Sequence, residues 1–316
     1  MRIAVTGGGG FVGGHTARLL AAAGDDVVVI VRRPIAARVP DSARVTLATA
    51  DIDDEIALCT AFEGCDAVLH CAGINLERGR QTYERVHVRG TEAVVGAARA
   101  SGVKRIAMVS FLRARPACGS GYHESKWAAE EVVRRSGIPY TVLKPGVIYG
   151  RGDHMLDHLS RAFRTFPVFL LVGFNSRRRI APVAVADVAR ILAAATRDDR
   201  LAGVTVSVLG PEQLTLSAAV RRVAHVAGCH PLFLPAPLVA HRLLAWSAER
   251  LMTVPLVSTA QVRILSEGLV EPVLAPDHLP ADLEPMTPFS EEAIRSGLPP
   301  RERFHRGDFR LFNRSA

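Results

Sequence analysis

Tyr122 and Lys126 stand four positions apart in Tyr122-His123-Glu124-Ser125-Lys126. On a helix that spacing puts a phenol and an ammonium on one face. A neighbouring positive charge favours phenolate and draws the tyrosine pKa down from its reference near ~10. Such a tyrosine exchanges a proton with a carbonyl or alcohol oxygen. The chain holds only three lysines, at 104, 126 and 144, and four tyrosines. With so few of each, an accidental pair at this spacing is expected about four times in a hundred. The plainer reading is an exposed helix start with an incidental lysine.

A second group sits at the amino end. Gly7, Gly10 and Gly13 follow the apolar run 3–5 and precede Ala17, Leu19 and Leu20. This is a strand, a tight turn and a helix, with glycine where the chain must turn sharply, approach a pyrophosphate and pack closely. Main-chain amides at the start of the helix then point at the phosphates. Dinucleotide folds place an acidic residue about twenty residues further on, at the end of the second strand, for the ribose hydroxyls. Here Arg32 and Arg33 hold that position, and Asp25 and Asp26 precede the strand. Paired guanidinium contacts suit a ribose 2′-phosphate, so NADP(H) is expected over NAD(H). Asp51 and Ile52, after the third strand, are placed to meet the adenine, with a structural turn as the competing reading.

Alternating strands and helices must carry these groups. Apolar runs at 27–31, 45–50, 67–71 and 105–110 read as strands, with another opening at 141–143. Helical patterns cover 54–62, 83–100 and 122–135. The alternation predicts an α/β fold, a doubly wound parallel sheet with a smaller, mainly helical carboxy-terminal part. Residues 1–210 are expected to form the dinucleotide-binding domain, with 151–180 contributing to the substrate side, and 211–316 a capping part. Further predictions are a helix at 155–166, an apolar loop at 167–174, a helix within 183–196, a last strand at 204–209, and helices near 215–227 and 236–252.

The composition, 48% hydrophobic over 316 residues, allows a sizeable core. No run of eighteen apolar residues exists, and with the glycine motif directly after the first strand no signal peptide is expected. Five cysteines without a Cys-x-x-Cys pair read as reduced thiols, which suggests the cytoplasm. The net charge of +8 is nearly all arginine, and its densest run, 177–179, reads as a solvated loop. With no basic helix or aromatic-interleaved stripe, nucleic acid is not an expected partner; a small-molecule substrate is. His154 and His158 lack a third ligand and read as a polar helix face, so no metal is expected. The mix of Leu, Phe, Trp246 and Met252 with Arg242 and Arg250 across 232–256 reads first as core packing. A lipid- or quinone-sized pocket and a peripheral membrane contact are its alternatives.

Together these segments resemble the extended or atypical short-chain dehydrogenase/reductases of the epimerase/dehydratase type. The matching pieces are Thr6 through Gly13, Asp51-Ile52, Cys71-Ala72-Gly73, Tyr122-x-x-x-Lys126, the run from Lys144-Pro145-Gly146-Val147 to Gly150, and the segment from Val183 to Ala189. The stretch from Leu209 to Thr215 and a helix over 251–261 are similar to the branch that includes the NADPH-binding accessory subunit of respiratory complex I. The resemblance implies cofactor contacts from Gly7, Gly10, Phe11, Val12, Gly13, Cys71, Ala72, Gly73, Pro145, Gly146 and Val147, and from Tyr122 and Lys126. It implies Tyr122 as acid/base, Lys126 as its tuner and ribose ligand, and a serine that steadies the substrate oxygen. Ser110 is the candidate, two residues ahead of where Leu112 would align, with Ser120 behind it. His87 stands where the family has asparagine. The implied function is an NADP-dependent oxidoreductase acting on a carbonyl or secondary alcohol. Its alternatives are a non-catalytic NADPH-binding assembly protein and a nucleotide-sugar epimerase or dehydratase. Monomer and homo-oligomer are both open.

Overall fold

A computed structural model describes residues 1–33, 42–172, 179–252, 262–263, 270–273, 276–305 and 308. In chain order the first elements are β1 (Arg2–Thr6), α1 (Phe11–Ala22), β2 (Asp26–Val31), β3 (Val45–Thr49), α2 (Glu55–Phe62) and β4 (Ala67–His70). Next come a π-helical stretch (Glu84–Arg89), α3 (Gly90–Ala100), β5 (Arg105–Val109), α4 (Gly121–Arg134) and β6 (Tyr140–Pro145). Then follow β7 (Ile148–Tyr149), α5 (His154–Thr165), β8 (Val168–Val172), β9 (Arg179–Ile180), β10 (Val183–Ala184) and α6 (Val185–Ala195). The last are β11 (Val204–Val208), β12 (Leu214–Thr215), α7 (Leu216–Val226), β13 (Leu232–Ala236), α8 (Leu238–Leu251) and α9 (Glu291–Gly297). The chain divides into two compact units, one of Met1–Gly146, Val185–Val208 and Pro272–Met286, the other of Val147–Ala184, Leu209–Glu271 and Thr287–Ala316.

In the first unit seven strands form one sheet in the order β3-β2-β1-β4-β5-β6-β11, every pair parallel. Strands covered on both faces need apolar residues at every position, and Ile3, Ala4, Val5 and Val27 to Ile30 are all buried. The order reverses between β1 and β4, the switch point where open α/β sheets bind ligands beyond their carboxyl ends. Register fixes what gathers there. Thr6 stands beside Ile30 and His70, Val31 beside Thr49, and His70 beside Met108. Gly7, Arg32, Asp51, Cys71 and Ser110 therefore all emerge from neighbouring strand ends along one edge.

In the second unit, β8 pairs in parallel with β13, and Phe163, Phe169 and Phe233 meet edge to face at 5.0–6.2 Å. Tyr149 is packed on Phe289 and donates to the Pro288 carbonyl at 2.7 Å.

Three expectations change. The helix expected over 83–100 begins with π-helical geometry, a wider turn that carries Val86 and His87 inward. The loop expected at 167–174 is strand β8 over its first part, because β13, hidden between prolines in the sequence, supplies the partner. Core packing fails for the outer side of α8, where Val239 and Leu243 are exposed. The arginines at 177 and 178 and most of the helix expected over 251–261 lie outside the described residues.

Candidate active site

The glycine loop is closed by its own main chain. Gly10 N–H donates to the Gly7 carbonyl at 2.9 Å and Gly14 N–H to the Gly10 carbonyl at 2.9 Å. Gly7 has φ +68°, and a Cβ built on it would lie 2.7 Å from the Ala72 nitrogen. A Cβ on Gly13 would lie 2.4 Å from the Gly7 oxygen. No side chain larger than hydrogen passes at either point, so the loop of β1 rests directly on the Cys71-Ala72 backbone after β4. Helix α1 has no side-chain cap and no acidic residue in its first turn. No side-chain cap takes the amides of its first turn, which leaves a positive helix end suited to a diphosphate. That is the fit the dinucleotide requires.

Arg32 and Arg33 are both exposed just past β2 and have no ion-pair partner among the described residues. Asp51 differs from the expectation. Its Oδ2 meets Arg85 at 2.8 Å and its Oδ1 accepts the Ile52 amide at 2.8 Å. Arg85 also grips Asp53 at 2.6 Å and holds that carboxyl below the usual carboxylate range. Ile52 is buried against Gly90 in the core rather than offered to a ring. The turn reading describes this pair.

Helix α4 supplies the polar centre. Tyr122 is buried, ringed by Tyr83, His87, Phe111 and His123 at centroid distances of 5.5–5.9 Å. The expected lowering of its pKa does not occur. Burial pushes the phenol above its ordinary value, and the Tyr83 phenol pushes the same way. Tyr122 therefore holds its proton at neutral pH. Lys126, one turn on, donates to the Val109 carbonyl at 3.3 Å, and a Cβ on Gly73 would lie 2.9 Å from its Nζ. Burial lowers the Lys126 ammonium to about 8, against the opposing pull of Glu130 and Cys71. Burial also drives the Cys71 thiol up to about 12, so it is no nucleophile.

Ser110 is placed otherwise than expected. Its hydroxyl donates to Glu130 Oε1 at 2.5 Å, so its one proton is committed inside the protein. Glu130 is fully buried and also bound by Lys144 at 2.8 Å and Arg134 at 2.7 Å. Losing Glu130 would leave the buried Lys144 ammonium without its partner, a cost of about 3–5 kcal/mol. Ser120, the alternative, meets His123 Nδ1 at 2.7 Å. Pro145 ends β6 and accepts the Leu112 amide at 2.9 Å, and Gly146 N–H donates to the Val208 carbonyl at 3.1 Å. Val147 begins the other unit. His154 and His158 lie 5.6 Å apart on α5, and no group of three metal-ligating side chains forms among the described residues.

Two buried histidines, one absent from the sequence argument, brace this centre. Ile74 N–H donates to His87 Nε2 at 3.1 Å, so the ring proton sits on Nδ1, 2.9 Å from the Ser125 oxygen. Ser125 in turn donates to the Tyr122 carbonyl at 3.2 Å. The Thr91 hydroxyl donates to the His87 carbonyl, which orients His70 with Nε2–H toward Thr91 at 3.0 Å and Nδ1 accepting from Thr6 at 2.7 Å. These chains tie β1, β4 and α3 to the start of α4. Burial first, then the Lys126 charge, lowers His70 to about 3 and His87 to about 2. An unfolded chain takes up these protons first as pH falls. Their contribution to stability is therefore present above the unfolded pKa, near 6.5, and lost as pH falls from there toward 3. Each costs about 1.4 kcal/mol per pH unit in that window. Urea unfolding between about pH 6 and pH 5 is expected to lose about 2–3 kcal/mol from the two together. The pair His70→Gln and His87→Gln should remove that part of the slope. An unchanged slope would mean that these rings are charged in the fold.

A profile of the NAD(P)H-binding family matches residues 7–199 of this chain. The chain belongs to the NAD(P)H-binding family. Within this NAD(P)H-binding family its motifs are those of the extended short-chain dehydrogenase/reductases. It is 34% identical over 251 residues to the ceramide reductase of Caulobacter vibrioides, covering 78% of each chain. It is 29% identical over 198 residues to the mitochondrial NADH dehydrogenase [ubiquinone] 1 alpha subcomplex subunit 9 of Mus musculus, over 63% of this chain but only about half (52%) of that subunit. Among solved structures, the NADPH-dependent quinone oxidoreductase QOR2 of Escherichia coli, complexed with NADPH, superposes with a TM-score of 0.70 at 22% identity, over 92% of this chain and 98% of that one. At that identity the likeness is one of fold.

Helix α4 also shows what the sequence argument missed. Tyr122, Lys126, Glu130 and Arg134 recur every four residues along one face. The first two line the site, Glu130 ties the helix to Ser110 after β5 and Lys144 of β6, and Arg134 reaches Thr205 of β11. The spacing was there to be read; the burial of a glutamate was not.

Proposed function

We propose that this protein is an NADPH-dependent reductase of a ketone carried on a long-chain amide lipid of the ceramide class. The observation that carries the reading is the buried, protonated Tyr122 one helical turn from Lys126, whose ammonium lies against Gly73, next to the Ala72 backbone on which the glycine loop rests. A bound dinucleotide supplies the hydride to the carbonyl carbon. Tyr122 delivers its proton to the carbonyl oxygen as the C=O bond becomes a C–OH, and solvent protons restore the phenol. Lys126 is assigned to the ribose and to the charge that develops near the phenol as it gives up its proton. Ser110 is assigned to hold α4 in place through Glu130. The lipid class rests on the likeness to ceramide reductase over most of the chain. A hydride acceptor of this kind must present a ketone, since an alcohol or amide does not accept hydride at such a site. We assign substrate choice to residues outside the nucleotide motifs, in 151–180 and beyond 210.

The cofactor preference rests on Arg32 and Arg33, exposed and unpaired among the described residues. Replacing both with alanine should weaken NADPH by about 10² to 10³, two charge-assisted hydrogen-bonding groups at about 1.5–2 kcal/mol each, and leave NADH nearly unchanged. Equal loss for the two nucleotides would remove the arginines from the phosphate. The reductase reading is tested by NADPH oxidation against a long-chain keto-amide lipid, simple ketones and quinones. Turnover of the lipid above the others supports it. Tight NADPH binding with no turnover of any of them would support a second reading, an NADPH-binding assembly protein. The commitment of the Ser110 proton to Glu130 favours that reading, as does the likeness to the complex I subunit.

A further inference from the structure

Helix α8 has two unlike sides. His241, Ala245 and Ala248 face inward, and the His241 ring reaches the Pro237 and Leu170 carbonyls at 3.2 and 3.3 Å. Residues 239, 243, 246 and 250 recur at three- and four-residue steps on the opposite side, the spacing of one helix face. There Val239 is 71% exposed, Leu243 64% and Trp246 49%. A globular surface scatters its apolar residues singly, and three on one helix face mark a site of contact. The same side carries Arg242 and Arg250, both exposed, with Arg250 stacked 3.8 Å above the Trp246 ring. The helix's only acid, Glu249, is half-buried at the edge of this face.

We infer that α8 docks this protein on an anionic lipid bilayer, with Val239, Leu243 and Trp246 in the headgroup boundary and Arg242 and Arg250 against lipid phosphates. The charge pattern decides the occupant. A second copy of the chain packed by two-fold symmetry would set these two arginines against their own images, with only the half-buried Glu249 of each copy to offset them. An anionic bilayer offers both partners at once, apolar chains for the leucine and tryptophan and phosphates for the guanidinium groups. The net charge of +8 brings the whole molecule toward the same surface. Helix α8 lies on the surface and does not span: no helix among the described residues is long and apolar enough to cross a membrane. The inference stands whether or not the substrate is a lipid.

The test is flotation of the full chain with phosphatidylcholine vesicles containing roughly a third phosphatidylglycerol, beside pure phosphatidylcholine vesicles. Binding to the anionic vesicles that weakens with added salt is expected. Arg242→Ala with Arg250→Ala should weaken it about thirtyfold, and Leu243→Ser with Trp246→Ser should abolish it. NADPH binding, unchanged in both variants, shows that they are folded. Wild-type protein that does not float with anionic vesicles at low salt overturns the inference, as does binding equal in all three proteins. A wild-type dimer that Leu243→Ser with Trp246→Ser turns into a monomer by light scattering, without vesicle binding, overturns it too.

Discussion

Gly13→Ala is expected to weaken NADPH binding by about a hundredfold, the equivalent of two charge-assisted amide bonds of about 1.5 kcal/mol each. The added methyl group would sit 2.4 Å from the Gly7 oxygen and 2.9 Å from Gly8 Cα. Both are backbone atoms of the same loop, so helix and loop must part, and the amides of the first turn lose their common aim. Gly10→Ala is the control within the loop. Its Cβ would lie 3.1 Å from the Gly7 oxygen, at an extended φ of −89° that any residue adopts. A shift of a few tenths of an ångström absorbs it, and NADPH affinity should fall only a few-fold. Fluorescence titration of both variants separates the cases. Equal affinities for Gly13→Ala and wild type would mean that the phosphates lie elsewhere.

Tyr122→Phe is expected to lower kcat by about 10² to 10⁴ while NADPH affinity stays within a few-fold. The substitution removes one oxygen and keeps the ring, so packing on Tyr83, His87 and Phe111 survives. The loss falls on the proton transfer alone. A KM effect without a kcat effect would make Tyr122 a binding residue and leave the acid unidentified.

The parts of this site that lie close in sequence were legible there. The glycine loop announces itself because a strand, a turn and a helix follow within about twenty residues, and because each glycine has its own steric reason. Tyr122 and Lys126 were legible because helical period alone puts them together. What could not be read depends on long-range partners. Asp51 faced the adenine in the sequence reading, but Arg85, 34 positions away, takes one of its oxygens. Ser110 suited the substrate oxygen until Glu130 claimed its proton. The tyrosine pKa was misread for a related reason. Spacing tells of a neighbouring charge, whereas the desolvation that outweighs it comes from Phe111, Tyr83 and His87 arriving from two other segments. Helix α8 shows the reverse limit. Its leucines and tryptophan look the same in a sequence whether they face a core or a membrane.

The most direct test of the reductase is a turnover with NADPH carrying deuterium at the transferable position of the nicotinamide and the long-chain keto-amide lipid as acceptor. Mass spectrometry of the product should find one deuterium on the new carbinol carbon for each NADPH consumed, in a single stereoisomer, and none with Tyr122→Phe over the same interval. NADPH bound but unspent, or a reduced lipid without the label, would contradict hydride transfer at this site.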